Sequence, residues 1–131
     1  MRQFFPRRVI VLLIIAALIP AVYFGLDYHE RQSASACIQE WGRLEPFPPT
    51  ARSVRIETTG GMFTRGFRAS FDATPDDIER WLSDSPGIHD ATAEKDGTTT
   101  TYHIRAGGGA TFAEVIVNSE RGTVRIRVYW S

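Results

Sequence analysis

The sequence has very little cysteine and lysine: Cys37 and Lys95 are the only residues of either type among 131. A single cysteine excludes an internal disulfide, so any domain must be stabilised by its core alone. The other fourteen basic residues are arginines. Arginine suits bidentate anion recognition, but these residues are scattered through every segment. We therefore interpret the excess as genomic base composition.

Acidic residues are absent from the first part of the chain, where none precedes Asp27. Arg2, Arg7 and Arg8 lie in this part, and downstream of it fifteen acidic side chains face twelve basic ones, a net charge of −3. A weakly acidic domain lacks the basic patch or stripe that nucleic-acid-binding proteins usually carry. The sequence therefore predicts no nucleic-acid partner.

Motifs for catalysis, metal binding or a cofactor are also lacking. The three histidines, His29, His89 and His103, have neither a nucleophile motif nor zinc-like spacing around them. The run 107–109 of three glycines could form an anion-binding nest, but it lacks the residues of a phosphate loop. A hairpin turn is the preferred interpretation. We predict no catalytic residue, no metal site and no cofactor.

One long uncharged segment is present. Val9 to Leu26 contains eighteen residues without a charge, which as a helix would extend about 27 Å, close to the thickness of a bilayer core. The segment is longer than the apolar part of a cleavable signal peptide. The arginines before it predict that residues 1–8 are cytoplasmic and that the chain after residue 26 is extracytoplasmic. The lipid bilayer is thus the first predicted partner.

The segment after this run bears on processing. Ala34-Ser35-Ala36 precedes Cys37 and is similar to a cleavage or lipoprotein signal. However, a charged stretch separates these residues from the apolar run, and Ala34 occupies the position where a lipoprotein signal prefers leucine. A retained signal-anchor is therefore favoured, with lipidation at Cys37 as the alternative.

Small residues recur every four positions within the apolar run, at Ala17, Ala21 and Gly25. Such a ridge lets two transmembrane helices approach closely, so it is a candidate surface for self-association. Small residues are common in membrane helices, and chance is the preferred explanation.

A juxtamembrane helix is predicted over residues 27–45, followed by a proline-rich linker over 46–52. The helix has one apolar stripe, formed by Ala34, Cys37, Ile38, Trp41 and Leu44. Because this stripe lacks the flanking basic residues of an interfacial helix, we expect it to pack against the domain that follows.

Residues 53–131 are predicted to form an α+β domain, with elements in the order β-β-α-β-β-β-β. The helix has the clearest signal, since Thr74 is a candidate N-cap, Pro75 suits the first turn and residues 85–87 end it. A helix of about ten residues is not stable alone. We therefore expect an antiparallel sheet of about five to six strands with this helix on one face. A helix wrapped by a meander resembles cystatin-like or helix-grip architecture, a resemblance that implies no function.

Alternation along the strands predicts which side chains face the core. We expect a bulge at Gly66, a weak strand from His89 to Glu94, and a central strand from Ala110 to Asn118. The inward positions of the two clearest strands are Phe67, Ala69 and Phe71, then Val124, Ile126, Val128 and Trp130.

The sheet face opposite the helix is the candidate partner surface. If the strands pair in sequence order, it carries Arg55, Arg105, Glu114, Arg125, Arg127 and Tyr129. Arginine and tyrosine are enriched at binding hot spots, although a half-covered sheet needs a polar outer face in any case. We therefore predict a membrane-anchored, non-catalytic interaction domain whose partner is another envelope protein. The alternative is a ligand-binding or enzymatic domain with a cleft between helix and sheet, lined by Trp81, Tyr102 and an acid or His103.

Overall fold

The computed structural model describes residues 7–131, so the first six residues of the predicted basic N-terminus lie outside the described part. The chain divides into two compact units, residues 1–33 and 34–131. Helix α1 (Arg7–Gly42) provides the described part of the first unit and the beginning of the second.

The described part of the first unit is a helix whose exposed surface is uncharged from residue 9 to residue 26. All side chains from residue 9 to residue 26 are exposed, and Pro20 lies inside the helix without ending it. Within residues 7–131, α1 is the one helix that is long and apolar enough to cross a membrane. The expected long apolar helix near the N-terminus is confirmed.

The second unit is built on a six-stranded antiparallel sheet, which confirms the predicted fold class. Its strands are β1 (Arg52–Thr59), β2 (Arg65–Asp72), β3 (Thr92–Asp96), β4 (Thr99–Ile104), β5 (Phe112–Asn118) and β6 (Thr123–Trp130). Helices α2 (Pro75–Asp84) and α3 (Pro86–His89) connect β2 to β3.

The strands do not pair in sequence order throughout. Their order across the sheet is β1-β2-β6-β5-β4-β3. A hairpin of β1 and β2 is joined to the meander β3 to β6 by the pairing of β2 with β6. Strands β5 and β6 are therefore central, as expected for the apolar strand that ends at Asn118.

The core lies on one face of the sheet. Ala34 and Ile38 of α1 are buried in it, as the apolar stripe predicts. The ring of Phe71 is 5.1 Å from that of Phe47 and 5.4 Å from that of Trp81, measured between centroids. Helix α2 and the end of α1 thus cover the same side of the sheet, and no helix of residues 34–131 covers the opposite side.

Helix α2 has the predicted ends. The hydroxyl oxygen of Thr74 accepts a hydrogen bond from the amide of Asp77 at 3.3 Å, and Pro75 occupies the first turn. At the other end Ser85 is fully buried, donates to the carbonyl oxygen of Trp81 at 2.8 Å and accepts from the amide of Glu45 at 3.1 Å. These bonds satisfy the buried hydroxyl and attach α2 to the segment after α1.

The predicted bulge at Gly66 is wrong. Strand β2 pairs with β6 without interruption from Arg65 to Asp72. Gly66 is buried, and a Cβ atom there would lie 3.1 Å from the Cβ atom of Tyr129, so this glycine permits a close approach of strands. The irregularity occurs in β1 instead, between Arg52 and Arg55, where Ser53 has a φ of 53°.

Two further expectations are corrected. His89 does not begin a strand, because Pro86 starts the new helical turn α3 and β3 begins only at Thr92. Trp130 is not buried in the core and is 48% exposed. It pairs with Arg65 at the end of the sheet, beyond the last buried pair of residues.

Candidate functional site

The uncovered face of the sheet holds an open concavity of about 480 Å³. We call this surface the arginine face. Its outward-pointing side chains are Arg55, Glu57, Arg68, Ser70, Ile116, Arg125 and Arg127. Four of these seven side chains are arginines, and they come from three different strands.

Strand pairing determines the order of charges across this face. Glu57 of β1 is opposite Arg68 of β2, Arg68 is opposite Arg127 of β6, and Arg127 is opposite Glu114 of β5. In the neighbouring row, Arg125 is opposite Ser70 on β2 and Ile116 on β5. Two arginines are thus direct neighbours in the middle of the sheet, where like charges opposite each other destabilise the pairing.

Arg127 is held in place by two contacts. Its guanidinium donates a hydrogen bond to a carboxylate oxygen of Glu114 at 3.0 Å, and Glu114 is only 7% exposed. The guanidinium carbon also lies 5.8 Å from the centre of the Phe112 ring, which stacks on Tyr129 at 4.7 Å. Cation–π contact and ion pairing together restrict the side chain.

The other three arginines of the face, Arg55, Arg68 and Arg125, are exposed. Within residues 7–131, Arg127 is the member of the face that forms an ion pair. Three arginines of the concavity therefore form no ion pair within the described chain, and one carboxylate, that of Glu57 opposite Arg68, lies among them.

The structure brings together most of the predicted surface. Arg55, Arg125 and Arg127 line the concavity, Glu114 contacts Arg127, and Tyr129 is adjacent through Phe112. Arg105 does not line it. This residue follows the end of β4, and its carbonyl oxygen accepts a hydrogen bond from Nε of Arg43 at 3.0 Å.

Arg68 and Glu57 were missed as members of the site. The outward position of Arg68 follows from alternation with Phe67 and Ala69, and that of Glu57 from alternation with Ile56, signals that are present in the sequence. The place of Arg68 beside Arg127 depends on the pairing of β2 with β6, which sequence order does not indicate.

Two of the three glycines of residues 107–109, Gly107 and Gly108, contact the end of α1. The amide of Gly107 donates to the carbonyl oxygen of Trp41 at 2.8 Å, and a Cβ atom on Gly108 would lie 2.8 Å from Cδ1 of Trp41. One donor of the considered anion nest is thereby occupied, and the loop instead caps a helix end at close range.

Of the residues of the alternative cleft, Trp81 and Tyr102 both pack in the core layer, whereas His103 lies apart from Trp81. Trp81 is 4% exposed in the core, whereas His103 points outward with Nε2 at 3.4 Å from a carboxylate oxygen of Glu94. These two residues are therefore on opposite faces of the sheet. Among residues 7–131, no three His, Cys, Asp or Glu side chains are grouped as metal ligands. Cys37 is partly buried against the core.

The end of α1 carries the ion pair between Arg43 and Asp90. Arg43 adopts a left-handed conformation with φ of 49°, and the amide of Leu44 donates back to the carbonyl oxygen of Gln39 at 2.9 Å, which ends the helix. The hydrogen bond from Arg43, followed by the charges of Arg43 and Arg105, lowers the pKa of Asp90 below its usual value of 3.8.

Replacing Arg43 by Gln is expected to return the pKa of Asp90 towards 3.8, because the charged donor is lost. A lowered folded-state pKa stabilises the fold above the unfolded pKa, and this contribution is lost as the pH falls through the folded value. Arg43→Gln should therefore reduce stability near neutral pH more than at strongly acid pH. NMR titration of the Asp90 carboxyl measures the shift, with Arg121→Gln as a control that should not move it. An unchanged pKa in Arg43→Gln contradicts the prediction.

The candidate self-association ridge lies on exposed parts of α1. Ala17, Ala21 and Gly25 are each exposed, and no atom lies within 4 Å of the position that a Cβ atom on Gly25 would occupy. Their spacing of four places them on one side of the helix. Self-association through this ridge stays a prediction.

Comparison of the chain with protein-family models, curated proteins and solved structures found no match. The functional conclusion therefore depends on the geometry and chemistry of this chain. Fold-level resemblance does not add to it, because one fold supports many functions.

Proposed function

We propose that this chain is a single-pass membrane-anchored protein that presents its α+β unit outside the cytoplasm as a non-catalytic interaction domain. The observation that carries the proposal is the eighteen-residue uncharged stretch of α1, which is exposed along its whole length. It belongs to the same chain as a folded unit with a basic, concave sheet face.

The apolar stretch supports membrane insertion on energetic grounds. Its large side chains, such as Leu12 at 65% and Leu18 at 55%, are exposed although the second unit has a well-buried core. Leaving them in water costs about 25 cal/mol for every Å² of apolar surface that a bilayer could cover. A helix also satisfies its own backbone hydrogen bonds, as a lipid environment requires.

The flanking charges support the orientation. Arg7 and Arg8 begin the described chain, with Arg2 before them, whereas Asp27, Glu30 and Arg31 follow the apolar stretch. Under the positive-inside rule this difference favours a cytoplasmic N-terminus. The second unit would then be extracytoplasmic.

The arginine face supports an interaction role. The chain after the apolar stretch is acidic overall, yet this face concentrates four arginines around one concavity. A merely solvated face would not require Arg68 and Arg127 to be direct neighbours, which costs stability. Arginine is also among the residues that most often dominate binding interfaces. The partner proposed for this face is another protein of the cell envelope.

The membrane proposal predicts the behaviour of the intact chain in a bacterial host. We expect the protein to remain in the membrane pellet after alkaline carbonate extraction. A C-terminal epitope tag should be removed when protease is added to spheroplasts. Recovery of the chain in the soluble fraction, or a tag that survives external protease while a periplasmic marker is degraded, contradicts the proposal.

A matched pair of variants makes this test specific. Leu13→Arg combined with Leu18→Arg should release the chain from the membrane, since an arginine at the centre of a span costs about 2.5–3.5 kcal/mol on insertion scales. Gln32→Arg combined with Ser33→Arg adds the same charge beyond the apolar stretch. The second variant should remain in the membrane pellet.

A further inference from the structure

We infer that the arginine face recognises an acidic segment of a partner protein that presents at least two separate carboxylates. This inference rests on the proposed function and specifies the chemistry of its partner. It starts from the charge of the face, where four arginines outnumber Glu57 and Glu114. The chain as a whole has no net charge, so this concentration is local.

The arrangement of the arginines produces repulsion between neighbouring positive charges, which a bound anion would relieve. Arg68 and Arg127 are cross-strand neighbours, and both nearby carboxylates lie outside the pair: Glu57 is opposite Arg68 on its far side, and Glu114 binds Arg127 on its far side. Arg55, Arg68 and Arg125 are exposed and outside the ion pairs of the described chain. A bound carboxylate between Arg68 and Arg127 would convert their repulsion into two charge-assisted hydrogen bonds.

The spacing of the arginines favours several carboxylates over one compact anion. Neighbouring strands lie about 4.8 Å apart, and outward residues two positions apart on a strand are separated by about 6.6 Å. Arg55, Arg68 and Arg125 come from three adjacent strands and two rows. A single phosphate or carboxylate is too small to contact all of them, whereas acidic side chains along a peptide have comparable spacing.

The floor of the concavity fits a peptide better than a purely ionic ligand. Ile116 is half-buried beside Arg125 and offers apolar surface within the basic region. Arg127 is already oriented by Glu114 and by the ring of Phe112, so its ordering cost is small before a ligand arrives. An acidic segment that also carries an apolar side chain would use both features.

The test uses the full chain in neutral detergent and a dye-labelled peptide of six glutamates, with binding followed by fluorescence anisotropy. We expect saturable binding that weakens with added salt. Arg68→Glu combined with Arg125→Glu should weaken it at least about tenfold, a change typical of losing arginine anchors. Arg80→Glu combined with Arg121→Glu makes the same charge change elsewhere on the exposed surface and should leave binding within about twofold.

Several results would overturn the inference. These are absence of binding by the unchanged protein, an equal loss in both double variants, and displacement of the peptide by inorganic phosphate or anionic vesicles at matched charge. Thermal unfolding checks that the variants fold. If the charge-reversed variant with Arg68→Glu and Arg125→Glu does not fold, the neutral variant with Arg68→Gln and Arg125→Gln is used in its place. If the peptide does not bind, the further inference is wrong, but the carbonate and protease experiments still test membrane anchoring independently. If the chain is soluble and unanchored, the proposed function is wrong whether or not the peptide binds.

Discussion

Phe71→Ala is expected to destabilise the α+β unit by about 3–5 kcal/mol, the range for removing a buried phenylalanine ring. Phe71 is 1% exposed and its ring contacts those of Phe47 and Trp81. The substitution removes apolar contacts from the sheet, from α2 and from the segment after α1 together. For a unit of this size we expect the melting temperature to fall by roughly 12 °C or more.

Phe63→Ala provides the matched control, because it makes the same chemical change in the loop between β1 and β2. The side chain of Phe63 is 80% exposed, so its loss should change the free energy of unfolding by no more than about 0.5 kcal/mol. Both variants are compared by thermal unfolding monitored by circular dichroism in the same detergent. Similar melting temperatures for the two variants would contradict the assignment of Phe71 to the core.

Local signals predicted the helix α2 and the central strands well. The N-cap Thr74, Pro75 in the first turn and the stop after Asp84 act through neighbouring residues, so their effect can be recognised in a short window. Alternation in β6 placed Val124, Ile126 and Val128 in the core for the same reason. In each case the physical cause lies within a few residues of its effect.

Features that depend on distant parts of the chain were not predicted. The pairing of β2 with β6 brings Arg68 beside Arg127, and the two residues are far apart in sequence. The alternation of apolar residues along β6 also extends to Trp130 and predicts that this residue is buried. Alternation within a strand cannot indicate where the elements that cover the sheet end. The composition of the candidate site was therefore partly predictable, while the adjacency of its two central arginines was not.

The glycines that pack against the end of α1 are a second case in which a distant part of the chain decides the role of a residue, here through steric contact with the helix backbone. The sequence predicts that Gly107 is part of a hairpin turn, but a Cβ atom there would lie 2.9 Å from the carbonyl oxygen of Glu40. The sequence predicts that Gly87 helps to end α2, and in the structure its amide also donates to the carbonyl oxygen of Arg43 at 2.7 Å. Gly87 allows α3, and Gly107 allows the loop after β4, to approach the backbone at the end of α1 closely.

This approach predicts that Gly87→Ala destabilises the α+β unit by roughly 2–4 kcal/mol, combining overpacking with a weakened hydrogen bond. The added Cβ atom would be well inside van der Waals distance of the carbonyl oxygen of Gly42 and 3.1 Å from that of Arg43. Backbone atoms cannot move aside as a flexible side chain can. The loop that carries α3 must therefore retreat from the end of α1, and its bond to Arg43 should lengthen or break.

Gly61→Ala is the matched control for this substitution. No atom lies within 4 Å of the Cβ position at Gly61, so the unfolding free energy should change by no more than about 0.5 kcal/mol. Thermal unfolding compares the two variants, and hydrogen exchange of the Gly87 amide in the unchanged protein tests its protection by Arg43. Equal stability of the two alanine variants, or a Gly87 amide that exchanges as fast as an exposed loop amide, would show that the close contact between α3 and α1 does not form.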